Sequence, residues 1–254
     1  MTTDQFRLDG RVVLVTGGNR GIGAAVARTA AALGADIGIG YHSGESEAEK
    51  VYEEITATGR RCVAFAADIS ESAQARGLVR AAEDAFGRVD GLVNNAGIMP
   101  SKDFLEITDE EWDLVIRTNV SSMFWCCQTV IPGMLERGAG SIVNISSRLG
   151  QIGWPAVTHY SVAKAGVLAL TKSLGRAYGS RGVRTNAVAP GVTNTEMGRT
   201  VMSGEVGEQR RRELPLGRFA EPEDVANAVV FLLSDASATF LGQTLNPNAG
   251  GLMP

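Results

Sequence analysis

Val12-Val-Leu-Val-Thr16, followed by Gly17-Gly-Asn-Arg-Gly21-Ile-Gly23 and then the alanine-rich stretch Ala24 to Leu33, decides the fold. The first run is β-branched and too short for most helices. It stops at glycines, and the chain restarts with helix-forming alanines; that order reads as strand, tight turn, helix. Glycines at such a turn let backbone N–H groups approach a pyrophosphate at the positive end of the helix. A turn that served only close helix packing would use the same residues, so the three glycines alone leave both readings open. No Gly-Lys-Ser/Thr follows, so the lysine and the magnesium-binding hydroxyl of triphosphate chemistry are missing.

Outward from this unit, strand-like and helix-like segments alternate with no linker or low-complexity break. Strands are expected at 36–41, 62–66, 91–94, 141–145, 184–188 and 243–245, and helices at about 21–33, 45–58, 71–86, 108–136, 156–178 and 222–233. Repeated βα favours a parallel sheet with helices on both faces, whose ligands sit beyond the carboxyl ends of the strands. Four groups of loop residues fall there: Gly17–Gly23 after the first strand, Asn95-Ala-Gly97 after the fourth, Ser146-Ser147 after the fifth and Pro190-Gly191 after the sixth. The expected class is α/β, a doubly wound Rossmann-like parallel sheet in a single domain over 1–254.

At 254 residues the chain can bury a sizeable core as one unit. Its 24 basic and 28 acidic residues, net −4, leave no electrostatic footprint for nucleic acid or an anionic membrane. Met1 to Gly10 holds no apolar signal segment and no run is long enough to span a bilayer, so a cytoplasmic location is expected. Cys62, Cys126 and Cys127 suit reduced core thiols rather than a disulfide framework, and with only His42 and His159 besides, no metal site is expected.

The chemistry-bearing constellation is Ser147, Tyr160 and Lys164. On a helix over 156–178 the i,i+4 spacing puts the phenol and the ammonium on one face, one turn apart. A nearby cation stabilises a phenolate, so Lys164 is expected to bring the tyrosine pKa down from its ordinary value near ~10 and make the pair a proton donor.

With these residues in hand the chain resembles the short-chain dehydrogenase/reductase family from Leu8 to Gly251. The likeness rests on Thr16-Gly-Gly-Asn-Arg-Gly-Ile-Gly23, Asp68, Asn94-Asn-Ala-Gly97, Asn119, Ser147, Tyr160-Ser-Val-Ala-Lys164 and Pro190-Gly191-Val-Thr-Asn-Thr195. The resemblance implies a nicotinamide cofactor lying across Gly17, Asn19, Arg20, Gly21, Ile22 and Gly23. Asp68 and Ile69 would be near the adenine, with Asn95, Ala96 and Gly97 near the adenosine ribose. Pro190, Gly191, Thr193 and Thr195 would be near the carboxamide end. It further implies that Ser147 polarises a carbonyl oxygen, Tyr160 protonates it, Lys164 holds the nicotinamide ribose, and Asn119 belongs to a proton relay. Asn119 could instead be a helix-bending or capping asparagine, Asn94 could do no more than tie strands together, and Ser146 has no assigned role. At the end of the second strand, where relatives that prefer NAD carry an acidic residue, Tyr41, His42 and Ser43 stand, and Arg20 occupies a phosphate-binding place. The expectation is NADP(H), with mixed cofactor use if Arg20 is only a solvated turn residue.

Pocket walls are expected from Met99, from 148–154, and from 192–214, which reads as a mobile lid rich in charge and glycine. The run Pro215-Leu-Gly-Arg-Phe219 looks most like the branch that reduces 3-oxoacyl groups on an acyl carrier protein, for which Arg181 and Arg137 would be docking residues. The tail Leu245-Asn-Pro-Asn-Ala-Gly-Gly251 departs from that branch, so a reductase of a specialised small ketone or hydroxy compound is the rival. A non-catalytic NADP(H)-binding sensor is the alternative of another class. The resemblance implies a homotetramer, and Phe124, Trp125, Cys126 and Cys127 supply an apolar stretch wide enough for a subunit contact.

Overall fold

The computed structural model describes residues 3–253; Met1, Thr2 and Pro254, which the expected domain and leader reading included, lie outside the described residues. Within them the chain forms one parallel sheet of seven strands in the order β3-β2-β1-β4-β5-β6-β7. The strands are β1 Val12–Thr16, β2 Asp36–Tyr41, β3 Cys62–Ala66, β4 Gly91–Asn94, β5 Gly140–Ile145, β6 Val183–Val188 and β7 Thr244–Leu245. The helices are α1 Gly21–Ala32, α2 Glu45–Thr56, α3 Ser72–Phe86, α4 Asp109–Ile116, α5 Ser122–Arg137, α6 Leu149–Ile152, α7 Thr158–Tyr178, α8 Glu196–Met202, α9 Gly204–Glu213 and α10 Pro222–Leu233. Strand order reverses between β1 and β4, which opens a crevice beyond their carboxyl ends.

Alternation along β1 explains why both faces of the sheet are covered. Val13 and Val15 join a core cluster with α1 and α10, whereas Val12 and Leu14 join one with α3 and α5 on the opposite face. A strand buried on both sides must be apolar throughout, as this one is. A third, smaller cluster of Val115, Val157, Tyr160 and Ala163 lies where α4 meets α7.

Two regions differ from the sequence expectation. The helix expected over 108–136 is continuous but carries a π turn at Arg117–Ser121. There the Asn119 side chain donates to the carbonyl of Val115 at 2.9 Å, one turn back, competing with the backbone ladder. Segment 192–214, read as a lid and given no helix among the expected elements, contains α8 and α9. α8 is capped by Thr195, whose Oγ1 accepts from the Gly198 N–H at 3.1 Å. α9 has no apolar stripe to announce it, but Glu208 pairs with Arg211 at 2.6 Å and with Arg212 at 3.3 Å along its surface.

Candidate active site

The glycine-rich turn closes beneath the crevice. Gly17 has φ 61°, a left-handed conformation, and a Cβ on Gly23 would sit 2.0 Å from the Gly17 carbonyl oxygen, so α1 can approach the turn this closely only with glycine there. No side chain caps the N-terminus of α1. Its first N–H groups therefore face the crevice unpaired by side chains, the arrangement a pyrophosphate requires.

The neighbouring strand ends are stitched to this turn. Thr16 Oγ1 accepts from the N–H groups of Asn95 at 3.0 Å and Ala96 at 3.1 Å. Asn95 Nδ2 donates to the carbonyls of Thr16 and Gly17, both at 3.0 Å. Asn95 thus shapes the turn as well as standing at the β4 edge. Asn19 Nδ2 donates to the carbonyls of Ser43 at 2.8 Å and Gly44 at 3.1 Å, tying the turn to the loop after β2. That loop presents exposed His42 and Ser43 beyond half-buried Tyr41. His42 Nε2 stands 3.8 Å from Asp68 Oδ2 at the end of β3. Hydrogen bonds from Ser70 hold the Asp68 carboxyl below its ordinary pKa despite partial burial, and Ile69 beside it is buried. Arg20, the expected phosphate-binding cation, is exposed and pairs with Glu196 at the start of α8, 3.0 Å away. At the β6 edge Thr193 Oγ1 donates to the Gly191 carbonyl at 3.1 Å. A Cβ on Gly21 would meet Thr195 Cγ2 at 3.2 Å, which places Thr195 against the glycine turn.

Ser147 follows β5, and its Oγ accepts from the Leu149 N–H at 3.1 Å. Tyr160 and Lys164 project from the buried side of α7, with the Lys164 ammonium 5.5 Å from the centre of the Tyr160 ring. All three are buried: Ser147 is 8 % exposed, Tyr160 8 % and Lys164 3 %. The spacing reading of one shared helix face therefore holds.

The expected direction of the tyrosine pKa does not. Burial pushes Tyr160 up to about 12, and a hydrogen bond with Ser147 only partly offsets this. Burial likewise brings Lys164 down to about 7, and its Nζ donates to the Ile145 carbonyl at 2.9 Å rather than to the phenol. Desolvation outweighs the pairing.

Asn119 is fully buried, and its Nδ2 donates to the carbonyls of Ile98 at 3.0 Å and Val115 at 2.9 Å. Its Oδ1 has no donor among the described residues. A Cβ on Gly97 would lie 2.4 Å from that oxygen and 3.5 Å from Lys164 Nζ, so Asn119, Gly97 and Lys164 converge on one point. Asn119 therefore bends the helix and presents an unpaired acceptor beside the lysine. Ser146 donates to the Lys164 carbonyl at 2.8 Å, a packing role that leaves Ser147 alone to face the tyrosine.

Several partners were not legible from motifs. Asn94 Nδ2 donates to Asn144 Oδ1 at 2.8 Å and Asn144 Nδ2 to Thr171 Oγ1 at 3.0 Å, locking β4, β5 and α7 together. This is the strand-tying role expected of Asn94, but Asn144 and Thr171 carry no local signal. The tail wraps the site: Gln151 Nε2 donates to Asn246 Oδ1 at 2.9 Å, Asn248 Nδ2 to the Leu252 carbonyl at 2.8 Å, and Gly191 packs against Asn248.

Two further expectations change. Cys126 and Cys127 are buried in the chain's own core and Trp125 packs against it, so only Phe124, 44 % exposed, is left from the proposed contact stretch. Arg137 donates to the Val89 carbonyl at 2.7 Å and lies 3.8 Å from Asp90, an internal commitment at the end of the sheet opposite Ser147; Arg181, at the same end, is exposed. Among the described residues no helix is long and apolar enough to cross a membrane.

Comparison with known proteins agrees with this geometry. Residues 17–251 match the family model described as enoyl-(acyl carrier protein) reductase. A 3-oxoacyl-[acyl-carrier-protein] reductase of Staphylococcus aureus is 40 % identical over 240 residues, covering 94 % of this chain and 97 % of that one. A blue fluorescent protein from a metagenomic library, solved with NADPH, superposes with TM-score 0.92 at 36 % identity, covering 97 % of this chain and 100 % of the other. A candidate NAD(P)-dependent gluconate 5-dehydrogenase from Beutenbergia cavernae, solved with NADP, superposes with TM-score 0.92 at 33 % identity, covering 97 % and 98 %. With the glycine cradle, the seven-stranded doubly wound sheet and these matches over nearly its whole length, the chain belongs to the short-chain dehydrogenase/reductase family of oxidoreductases that use a nicotinamide cofactor.

Proposed function

We propose that the chain reduces a carbonyl to a secondary alcohol with NADPH, Tyr160 donating the proton. The observation that carries this reading is the joint burial of Ser147, Tyr160 and Lys164 at the carboxyl edge that also holds the glycine cradle. A bound nicotinamide supplies the hydride. Ser147 donates to the carbonyl oxygen as negative charge collects there. Tyr160 then hands over its proton; a phenol near 12 is still much more acidic than the alcohol it creates, so transfer in the reducing direction is downhill. Lys164, given ribose hydroxyls as acceptors, would hold its proton to higher pH and ease ionisation of the phenol. The unpaired Asn119 Oδ1 would hold the water through which Lys164 is reprotonated.

Preference for NADP(H) over NAD(H) is supported by Tyr41, His42 and Ser43 in place of an acidic residue and by Arg20 in the turn. Arg20 is exposed, and its pairing with Glu196 is one that a 2′-phosphate could displace, because a surface pair contributes little. The ratio of kcat/KM for NADPH over NADH is expected to exceed about tenfold and to fall in Arg20→Ala; equal values in the wild type would remove the preference. Cofactor residues otherwise follow the strand ends: Gly17, Asn19, Gly21, Ile22 and Gly23 at β1; Asp68 and Ile69 at β3; Asn95, Ala96 and Gly97 at β4; Pro190, Gly191, Thr193 and Thr195 at β6.

For substrate, a 3-oxoacyl thioester is supported by the staphylococcal relative. A small oxo or hydroxy compound is supported by a cation, Arg148, directly after Ser147, and by the gluconate-type neighbour. Of the two residues expected to dock an acyl carrier protein, Arg181 alone presents an uncommitted surface cation, which makes that docking the weaker part of the thioester reading. Segment 192–214 acts as the lid, and the chain assembles as a homotetramer through the α4–α5 and α7 faces, where Leu114, Phe124 and Val162 are exposed. The reaction is tested by following NADPH absorbance with 3-oxoacyl thioesters and with activated ketones. Cofactor binding without turnover of any of them would instead indicate a sensor.

A further inference from the structure

Arg148 begins the turn into α6, and its N–H donates to the Pro190 carbonyl at 3.1 Å, which pins its backbone between the ends of β5 and β6. Its side chain is half-buried and makes one long hydrogen bond, from Nη1 to the Gly251 carbonyl at 3.4 Å. The tail gives way to it: a Cβ on Gly251 would lie 2.7 Å from Arg148 Nη1 and 2.9 Å from Leu214 Cδ2, so the guanidinium sits between the tail and the base of the lid. Among the described residues neither Arg148 nor Arg210 of α9 belongs to an ion pair. Arg210, also half-buried, donates only to the Val201 carbonyl at 3.1 Å. Burial first and Arg210 second push the Arg148 pKa down, and Glu213, exposed and accepting from Gln209 at 3.1 Å, offsets this in part.

A half-buried guanidinium with no ion-pair partner among the described residues, next to the serine that faces the tyrosine, makes a receptor for an anion. We propose that the substrate is an oxo or hydroxy acid whose carboxylate is gripped by Arg148, a few bonds from the reacting carbon. This rests on Ser147 and Tyr160 marking the carbonyl position. A 3-oxoacyl thioester fits this cation poorly. Near its reacting carbon it carries an acyl chain and a sulfur, and its only phosphate lies at the far end of a pantetheine arm, out of reach of a side chain rooted one residue from Ser147.

The test compares 3-oxobutanoate and 4-oxopentanoate with their ethyl esters, using NADPH-loaded wild type, Arg148→Met and Arg148→Lys. The acid-over-ester ratio of kcat/KM is expected to exceed roughly tenfold in the wild type, to collapse in Arg148→Met, and to be partly restored in Arg148→Lys. A wild-type ratio at or below one, or an unchanged ratio in Arg148→Met, overturns the proposal. A second measurement does not need turnover: succinate should raise the melting temperature of the NADPH-loaded wild type and dimethyl succinate should not, with the shift lost in Arg148→Met. Absence of any succinate shift in the wild type also overturns it. If succinate binds through Arg148 while no ketone is reduced, the anion site stands and the carbonyl reading falls.

Discussion

A phenol at about 12 beside a lysine at about 7 is a pair in which burial, not mutual attraction, sets both values. For Tyr160→Phe we expect kcat to fall by roughly 10²–10⁴-fold with the NADPH dissociation constant little changed, measured by steady-state kinetics and fluorescence titration. Lys164 should also leave a mark on stability. Its folded pKa lies near 7 and its ordinary value is 10.5, so between those limits the unfolded chain holds a proton that the folded chain does not. Rising pH therefore favours the fold across that window, and the penalty for the buried charge is complete below it. Cofactor-free Lys164→Met should lose this dependence and melt higher than wild type at pH 6, in thermal scans from pH 6 to 10. Parallel melting curves for the two proteins would count against a desolvated lysine.

The elements around the site are held by polar side chains where apolar packing cannot specify position. The Asn94–Asn144–Thr171 chain joins β4, β5 and α7 in a buried setting, so it fixes the register of the helix that carries Tyr160 to the strand that precedes Ser147. Asn144→Ala leaves both neighbours short of a partner and should cost about 1–3 kcal/mol in urea unfolding, with a further loss of kcat through misplacement of Tyr160. The π turn at Arg117–Ser121 serves the same end, since it aims Asn119 at Lys164. In α8 and α9, ion pairs on the surface and the Thr195 cap replace an apolar stripe, so these helices can leave the body without exposing a large core. Glu196→Gln removes the Arg20 pair that ties α8 to the glycine turn. Exposed as that pair is, overall stability should change by less than about 1 kcal/mol, whereas hydrogen exchange across 196–213 should quicken if the segment is the lid.

At the scale of the whole molecule, three exposed apolar side chains on neighbouring long helices, Leu114, Phe124 and Val162, mark the face through which copies would pair. Light scattering should return four times the 26.7 kDa chain mass. Phe124→Asp combined with Val162→Asp should lower that mass while far-UV circular dichroism stays unchanged, because neither side chain belongs to the described core. A monomeric wild type would end the tetramer reading. Three of the four residues of the expected contact stretch turn inward for a simple reason: Trp125, Cys126 and Cys127 are apolar like Phe124, and only packing tells which of them the chain keeps for itself.

Sequence by itself determined the strand–turn–helix opening, the alternation of strands and helices, and the gathering of Gly17–Gly23, Asn95–Gly97, Ser147 and Pro190–Gly191 at one sheet edge, because these follow from local periodicity and glycine chemistry. It also placed Tyr160 and Lys164 on one face, a matter of helical spacing alone. It missed α8 and α9, whose stability comes from charge pairs and a cap rather than an apolar period, and it left open whether Asn119 bends its helix, which the side chain does by competing with the backbone. Only the tertiary structure decided the sign of the tyrosine shift, the tail's contacts at Gln151 and Gly191, and the seating of Arg148 against Gly251 and Leu214 without an ion pair. Desolvation and long-range contact depend on what the rest of the chain brings within a few ångströms, and no stretch of neighbouring residues contains that information.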